Sequence, residues 1–574
     1  MRTPTAIDAI ADDYTRSLAE LSPVTATYLG IKGYDHLMGD YSPDASAAYA
    51  DLNRATLAKL DAAVPADETD RVTVAAMRDR LGLDLELFDA REYTADLNVI
   101  ASPSQGFRDI LDLMPTETHD DWSTIAQRVT GLPAAMDGYL ACLREGLASG
   151  LVPARLQAVE VAKQADKQTD PATSTFLTLG KDADLPASLR ADLDAAGAAA
   201  AASYAKLASF LRDELAPAAS ETDAVGRERY GRFSRLYVGA AVDLDETYEW
   251  GLEELARIVA EQDAVIARIA GPGKTVQDAA AVLDADPARI LHGTDALKAW
   301  MQTTSDAAVA ALNGTHFDIS PQAQKLECMI APSASGGIYY TGPTDDFSRP
   351  GRMWWSVPEG VTEFSTWNEK TTVYHEGVPG HHLQISAAVA NKDDLNMWRR
   401  LVCWTSGHGE GWALYAERLM DEFGFLADDG DRLGMLDAQR LRATRVVLDL
   451  GVHLGKPAPA RYGGGVWDAA KAWDLLTDNV TMERTMLRFE LNRYLGWPGQ
   501  APSYKIGQRI WEQIRADAAA AASARGESFS LRAFHSRALN LGSLPLDVLR
   551  EQLTSSQGFD KLSQLPSRRR VEAP

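Results

Sequence analysis

The residues best suited to chemistry fall in one stretch, TTVYHEGVPGHHLQ, at positions 371–384. His375, His381 and His382 offer imidazole nitrogens and Glu376 a carboxylate, the donor types that bind a cation such as zinc. In the common zinc-peptidase helix H-E-x-x-H, two histidines four residues apart share one face and the glutamate faces the metal-bound water. His375 and Glu376 begin that pattern, but residue 379 is proline and the next histidines come six and seven positions after His375. At about 100° per residue, position +7 returns near the face of His375 while +6 falls well round the cylinder. A regular helix therefore favours His382. Pro379, however, has no N–H to give the carbonyl of His375 and its ring clashes there, and Gly377 and Gly380 ease a break. A broken helix lets His381 rotate to the same cation. His381 is the expected second ligand and His382 the alternative, otherwise in a supporting position.

The third ligand is expected on a neighbouring helix. The segment SGHGEGWALYAERL, residues 406–419, supplies Glu410, whose Glu-Gly-aromatic-Ala string resembles the third-ligand segment of many zinc aminopeptidases. Glu417, seven residues on, shares its face and suits the role of holding a ligand histidine in one tautomer. Five of the ten histidines (His375, His381, His382, His408 and His453) lie between 375 and 453, which points to the same region.

The chemistry expected of this set is metal-assisted amide hydrolysis with one zinc ion. Zinc lowers the pKa of its bound water toward ~7. Glu376 takes the water proton and later delivers it to the leaving amine. A donor must also meet the oxyanion, and Tyr504 in PGQAPSYKIG and His453 are the candidates. Asp449, four residues before His453, is spaced to orient that imidazole. A peptide substrate is expected to lie extended along a short edge strand near 336–340, beginning at the backbone of Gly336 and Gly337. Arg349, Arg352 and Lys505 are the candidates for clamping a C-terminal carboxylate. Trp354, Trp355 and Trp412 are expected in the core.

The elements that must position these residues are mostly helices. Apolar residues recur at three- and four-residue spacing over 5–21, 46–63, 66–90 and 122–148. The alanine-rich run 190–216 has high helix propensity and keeps an apolar face in Tyr204, Leu207, Phe210 and Leu211. Helices are also expected over 243–269, 275–284 and 294–312, with DPARILHG a turn and short helix stopped by Gly293. The texture changes near 330, where Ile338–Thr341 and Arg352–Val357 read as short strands. Helical periodicity resumes from about 364, and SRRRVEAP reads as a frayed basic tail. The expectation is a mainly α fold with a deep cleft and a small sheet beside the chemistry. Residues 1–320 form a helical region and 321–574 the catalytic region.

Composition narrows the function. The 574 residues are 45% hydrophobic and carry a formal charge of 57 − 81 = −24, which repels nucleic acid and anionic lipid. Three scattered cysteines, Cys142, Cys328 and Cys403, argue against a disulfide framework and fit a reducing cytoplasm. The N-terminus lacks a signal-like apolar run and no stretch approaches the ~20 apolar residues of a spanning helix. A homodimer is compatible with these features. The apparent motifs GPGK at 271–274, GHGEG at 407–411 and GGG at 463–465 lack the frames of nucleotide sites and read as turns or helix starts.

The strings HEGVPGHH, EGWALYAE, LRATRVVLDLGVH and PGQAPSYKIGQ together resemble the bacterial domain of unknown function 885 family, over most of the chain and best from about 334 to 550. That family is similar to helical zinc peptidases of the carboxypeptidase Taq and angiotensin-converting-enzyme-like groups. The resemblance implies a helical fold with a deep cleft and a gluzincin ligand set of two histidines and one glutamate. It leads to a zinc-dependent peptidase of short peptides, acting as a carboxypeptidase, dipeptidase or oligopeptidase. Two other readings share the ligand set: a zinc hydrolase of another amide or an ester, and a non-catalytic peptide-binding protein. The intact Glu376 argues against the last.

Overall fold

The computed structural model describes residues 2–331 and 337–554. Gly336 and the basic tail at 567–574 lie outside the described residues. The architecture is mainly helical with two small sheets. Helix starts follow local chemistry: Thr5, Thr118 and Thr275 each accept from the backbone three residues on, and an aspartate there reaches back to close a capping box. The expected helices appear within a few residues, as Ala6–Leu21, Pro43–Ala62, Glu68–Asp89, Val276–Asp284 and Thr294–Leu312. The run 122–148 instead forms two helices, His119–Thr130 and Leu132–Ser149. Pro133 is tolerated only in a first turn, so it starts the second helix.

Strands are more numerous than expected. β1 (Ile290–His292) pairs antiparallel with β5 (Glu363–Ser365). The second sheet has the order β2 (Leu326–Ile330), β4 (Gly351–Trp355), β3 (Ile338–Thr341), with β4 parallel to β2 and antiparallel to β3. β3 has the predicted bounds and is an edge strand. β4 begins and ends earlier than expected. The DPARILHG segment is corrected: after a turn at Pro287–Arg289 it extends as β1, because Ile290 and Leu291 suit a pleated surface better than one helical turn. Gly293, at φ +83°, ends it.

Seven helices matter for the site: α1 (Leu244–Ile269), α2 (Thr366–Glu376), α3 (His381–Ala390), α4 (Ser406–Glu422), α5 (Asp429–His453), α6 (Arg484–Gly496) and α7 (Ser503–Ala524). One core joins them to the first helix, drawing on Ile7, Ile258, Trp412, Leu419, Val446 and Trp511. A second core is built from residues 24–216, and a third, under the β2–β4–β3 sheet, from Met353, Trp355 and Val373 among others. A cavity of about 1470 Å³ lies between residues of the second core and the C-terminal part. Tyr204 and Arg108 line one side, and Tyr340, Arg349, Gln384 and Arg493 the other. Among the described residues no helix is long and apolar enough to cross a membrane.

Candidate metal centre

The break at Pro379 is where the sequence places it. α2 stops at Glu376, and Gly377 leaves the helical path with φ −95°, ψ −126°. The chain turns back on itself: the Gly380 amide donates to the Tyr374 carbonyl at 3.1 Å and the His382 amide to the Gly377 carbonyl at 3.1 Å. A Cβ at Gly380 would stand 1.9 Å from the His375 carbonyl oxygen, so only glycine allows this approach. α3 then begins at His381, whose ring lies 4.8 Å from that of His375 at an interplanar angle of 89°. The Trp412 indole N–H donates to the Pro379 carbonyl at 2.8 Å, fixing the turn to α4.

α4 brings the carboxylates. Glu410 Oε2 lies 3.3 Å from His375 Nε2 and 3.4 Å from His381 Nε2. Two turns further along, Glu417 Oε1 lies 2.8 Å from His375 Nδ1. The His375 imidazole thus spans two carboxylates on one face of one helix. α4 is held against α7 by backbone contact: a Cβ at Gly507 would lie 2.1 Å from the Gly407 oxygen, and one at Gly411 would lie 2.4 Å from the Gly507 carbonyl carbon. The glycines of GHGEG therefore serve a close helix crossing. The crossing also sets Tyr504, one turn before Gly507, near Glu410, whose charge together with burial raises the Tyr504 pKa.

The electrostatics are those of a site built for positive charge. Burial works against the His375 imidazolium, but hydrogen bonds with Glu410 and Glu417 outweigh it and hold its pKa up at about 10. Burial also opposes ionisation of Glu410, yet His381 and His375 bring its carboxyl well below the usual range. Glu376 is 7% exposed, and its carboxyl forms no hydrogen bond among the described residues. Burial raises its pKa against the attraction of His381 and His375.

The three residues fit a metal. One ligand atom from each of His375, His381 and Glu410 lies within 4.8 Å of the others, and this is the only such group of histidine, cysteine and acidic side chains among the described residues. Two imidazoles and a carboxylate form a donor set suited to zinc. Glu417 on the far nitrogen of His375 supplies the outer hydrogen bond that metal-bound histidines usually have.

His382 is turned away from this group. Its Nε2–H donates to the Ala323 carbonyl at 2.8 Å, so Nδ1 accepts from the Tyr340 hydroxyl at 3.0 Å. Burial keeps it neutral, with a pKa of about 4. It braces β3 and supports no ligand directly.

Other expectations need correction. His453 is fully buried with Nε2 on the Tyr494 carbonyl at 3.0 Å. It stands eleven residues, ~16 Å of helix, beyond Arg442, whose charge acts on Glu376 and Glu417. Asp449 does not orient His453; its Oδ1 accepts from the Tyr230 hydroxyl at 2.6 Å and the Gly499 amide at 2.9 Å. Lys505 is buried and ion-paired to Glu254 at 2.9 Å, so it cannot clamp a substrate carboxylate. Arg352 is committed to Glu327 at 2.7 Å on β2. Arg349 lines the large cavity, as does Gly337, and pairs with no carboxylate among the described residues; it donates to the Gly342 carbonyl at 3.0 Å. The cavity passes Gln384, one turn beyond His381 on α3, but its lining does not include the three ligand residues. Trp355 and Trp412 are buried, whereas Trp354 is half-buried and donates to Thr341.

Three residues of α5 escaped the sequence reading. Gln439 donates to Glu417 Oε2 at 3.4 Å. Arg442 stands near Glu376 and Glu417. Arg445 pairs with Glu490 at 2.9 Å and sits 5.2 Å from the rings of both Tyr494 and Tyr504. The available signal was two arginines, three residues apart, leading into the apolar run VVLDL: charges placed there need buried partners.

The sequence matches the family described as "Bacterial protein of unknown function (DUF885)" over residues 23–553. The chain belongs to this family. Two solved structures share the fold of this DUF885 protein. The "putative lipoprotein" of Colwellia psychrerythraea is 20% identical, with a TM-score of 0.80 over 98% of this chain and 100% of that one. A "putative lipoprotein of unknown function" from Shewanella oneidensis is 16% identical, with a TM-score of 0.71 over 96% and 100%. No curated protein matches the chain in sequence.

Proposed function

We propose that this DUF885 protein is a zinc-dependent peptidase of the helical gluzincin type, acting on short peptides. The observation that carries the reading is the convergence of His375 Nε2, His381 Nε2 and Glu410 Oε2 beside the buried Glu376. His375, His381 and Glu410 would hold the ion. When bound, zinc supplies Lewis-acid activation of water and of the scissile carbonyl.

The protein's own groups supply the rest. Glu376, its pKa raised by burial, is the proton carrier: its carboxylate accepts one from the attacking water and its carboxyl returns one to the leaving amine. Glu417 accepts from His375 Nδ1, so Nε2 is the nitrogen that would meet the ion. The Tyr504 hydroxyl, with burial and the Glu410 charge keeping its proton on, is the oxyanion donor. The free edge of β3 offers backbone groups to an extended peptide, and the adjoining cavity has room for several residues. Three buried free cysteines favour a reducing compartment, the cytoplasm, as its setting.

The test is metal analysis of the purified protein together with mass-spectrometric mapping of cleaved peptides, on wild type and Glu376→Gln. The expected result is about one zinc per chain in both, with a rate loss of at least ~100-fold in the variant. Near-normal cleavage by Glu376→Gln would remove that residue from the mechanism. A wild type that cleaves no peptide would overturn the assignment.

A further inference from the structure

Lys505 is a buried cation with a definite path to the candidate metal centre. Its ammonium donates to Gln439 Oε1 at 2.6 Å and Gln508 Oε1 at 3.0 Å, and pairs with Glu254 at 2.9 Å. It lines a second cavity of about 350 Å³, walled by charged residues of α1, α4 and α7 such as Arg257, Arg418 and Glu512. Gln439, from α5, is fully buried between Lys505 and Glu417.

The chemistry of each group dictates the direction of every bond in this path. An ammonium only donates, so Gln439 must present its carbonyl oxygen to Lys505. Its amide nitrogen then points the other way, at Glu417 Oε2. Glu417 receives that N–H on one oxygen and meets His375 Nδ1 with the other. A carboxylate accepting from Gln439 requires Nδ1 to carry a proton, so the proton that a cation displaces from His375 is the one on Nε2. Were the Gln439 amide reversed, two acceptors would face each other across 3.4 Å.

We propose that Lys505 is a positioning residue of the metal centre: through Gln439 and Glu417 it fixes the tautomer in which His375 presents Nε2 to the cation. The proposal rests on the zinc reading of His375, His381 and Glu410. It gives a role to a lysine that the sequence reading assigned to substrate.

The test is Zn²⁺ affinity, measured by competition with a chromophoric chelator, alongside the melting temperature of the metal-free chain. Gln439→Glu preserves volume and the bond from Lys505 but has no donor for Glu417; Lys505→Met removes the ammonium. Each is expected to weaken zinc binding by ~10- to 100-fold, the scale of lost outer-sphere support. The Gln439→Leu/Lys505→Met double variant should be no weaker than ~2-fold beyond Gln439→Leu, because both act along one path. A merely structural lysine predicts a lower melting temperature with zinc affinity within ~2-fold of wild type in all variants, and that result overturns the proposal. If Lys505→Met does not fold, Gln439→Glu decides the matter, since it leaves the Lys505–Glu254 pair in place. Wild-type protein that binds no zinc would sink the metal reading and this proposal with it. Tight wild-type binding matched by every variant would sink this proposal alone.

Discussion

Two buried histidines of the C-terminal part, each near a buried carboxylate, show what separates a site from a core. On α2, His375 has Glu417 on Nδ1 and Glu410 with His381 at Nε2, so both ring nitrogens look into a group of ionisable side chains. On α5, His453 has its Nε2 on the Tyr494 carbonyl, and the nearby Asp449 spends one oxygen on Tyr230 and Gly499. Both histidines are surrounded by helices. Only the first has ligand-type side chains arriving from two other segments, α3 and α4, at one ring nitrogen, the arrangement that a cation needs. The i, i+4 spacing of Asp449 and His453 resembles a catalytic pair on paper, but packing against Tyr230 and α6 redirects each partner.

The comparison breaks most sharply at Glu410. Glu410→Ala should abolish stoichiometric zinc binding and peptide cleavage together, whereas His453→Gln should keep the zinc and lose about 1–3 kcal/mol of stability from a disturbed buried hydrogen bond. Metal analysis and urea unfolding of the two variants check this, and full zinc in Glu410→Ala would mean the wrong third ligand. Next in size is Glu417→Gln, expected to weaken zinc by ~10- to 100-fold, against Asp449→Asn, expected to leave zinc affinity unchanged.

The pH dependence separates the two regions again. The His375 pKa is raised from 6.5 to about 10 in the metal-free fold. A raised pKa means the folded state favours the proton, so this stabilisation is complete below pH 6.5 and is lost as pH rises through about 10. The urea midpoint of metal-free protein should therefore fall between these pH values, in wild type and His453→Gln alike. Zinc affinity should climb over the same range, because the cation displaces the His375 proton. A flat midpoint would contradict the charged state assigned to His375. The smallest effect is expected for Arg352→Ala, whose half-exposed pair with Glu327 contributes at most ~1 kcal/mol and whose loss should not alter peptide cleavage.

Much of the fold was legible because it rests on local signals. Apolar periodicity locates the N-terminal helices, and the aromatic, glycine-bounded run at 338–341 marks β3. The proline break was equally legible: Pro379 and Gly380 favour His381 as the partner of His375, and the fold decides against the alternative by turning His382 to the Ala323 carbonyl. What sequence could not give was the partner of each polar group across the fold. Lys505 looks like a free cation in SYKIG, yet α1 brings Glu254 to it. β1, β2 and β5 are three to five residues long and carry too little period to be told from turns. Gln439 carries no signal of its own, and the partners of Arg445 are invisible until α5 packs against α4 and α6.

The central claim is that one zinc ion belongs between α2, α3 and α4. Anomalous diffraction at the zinc edge from a zinc-loaded crystal tests it directly. A single peak ~2.0–2.2 Å from His375 Nε2, His381 Nε2 and a Glu410 oxygen is the predicted result. A zinc peak at His382 or His453, or zinc-soaked crystals with no peak among these three side chains, would contradict it.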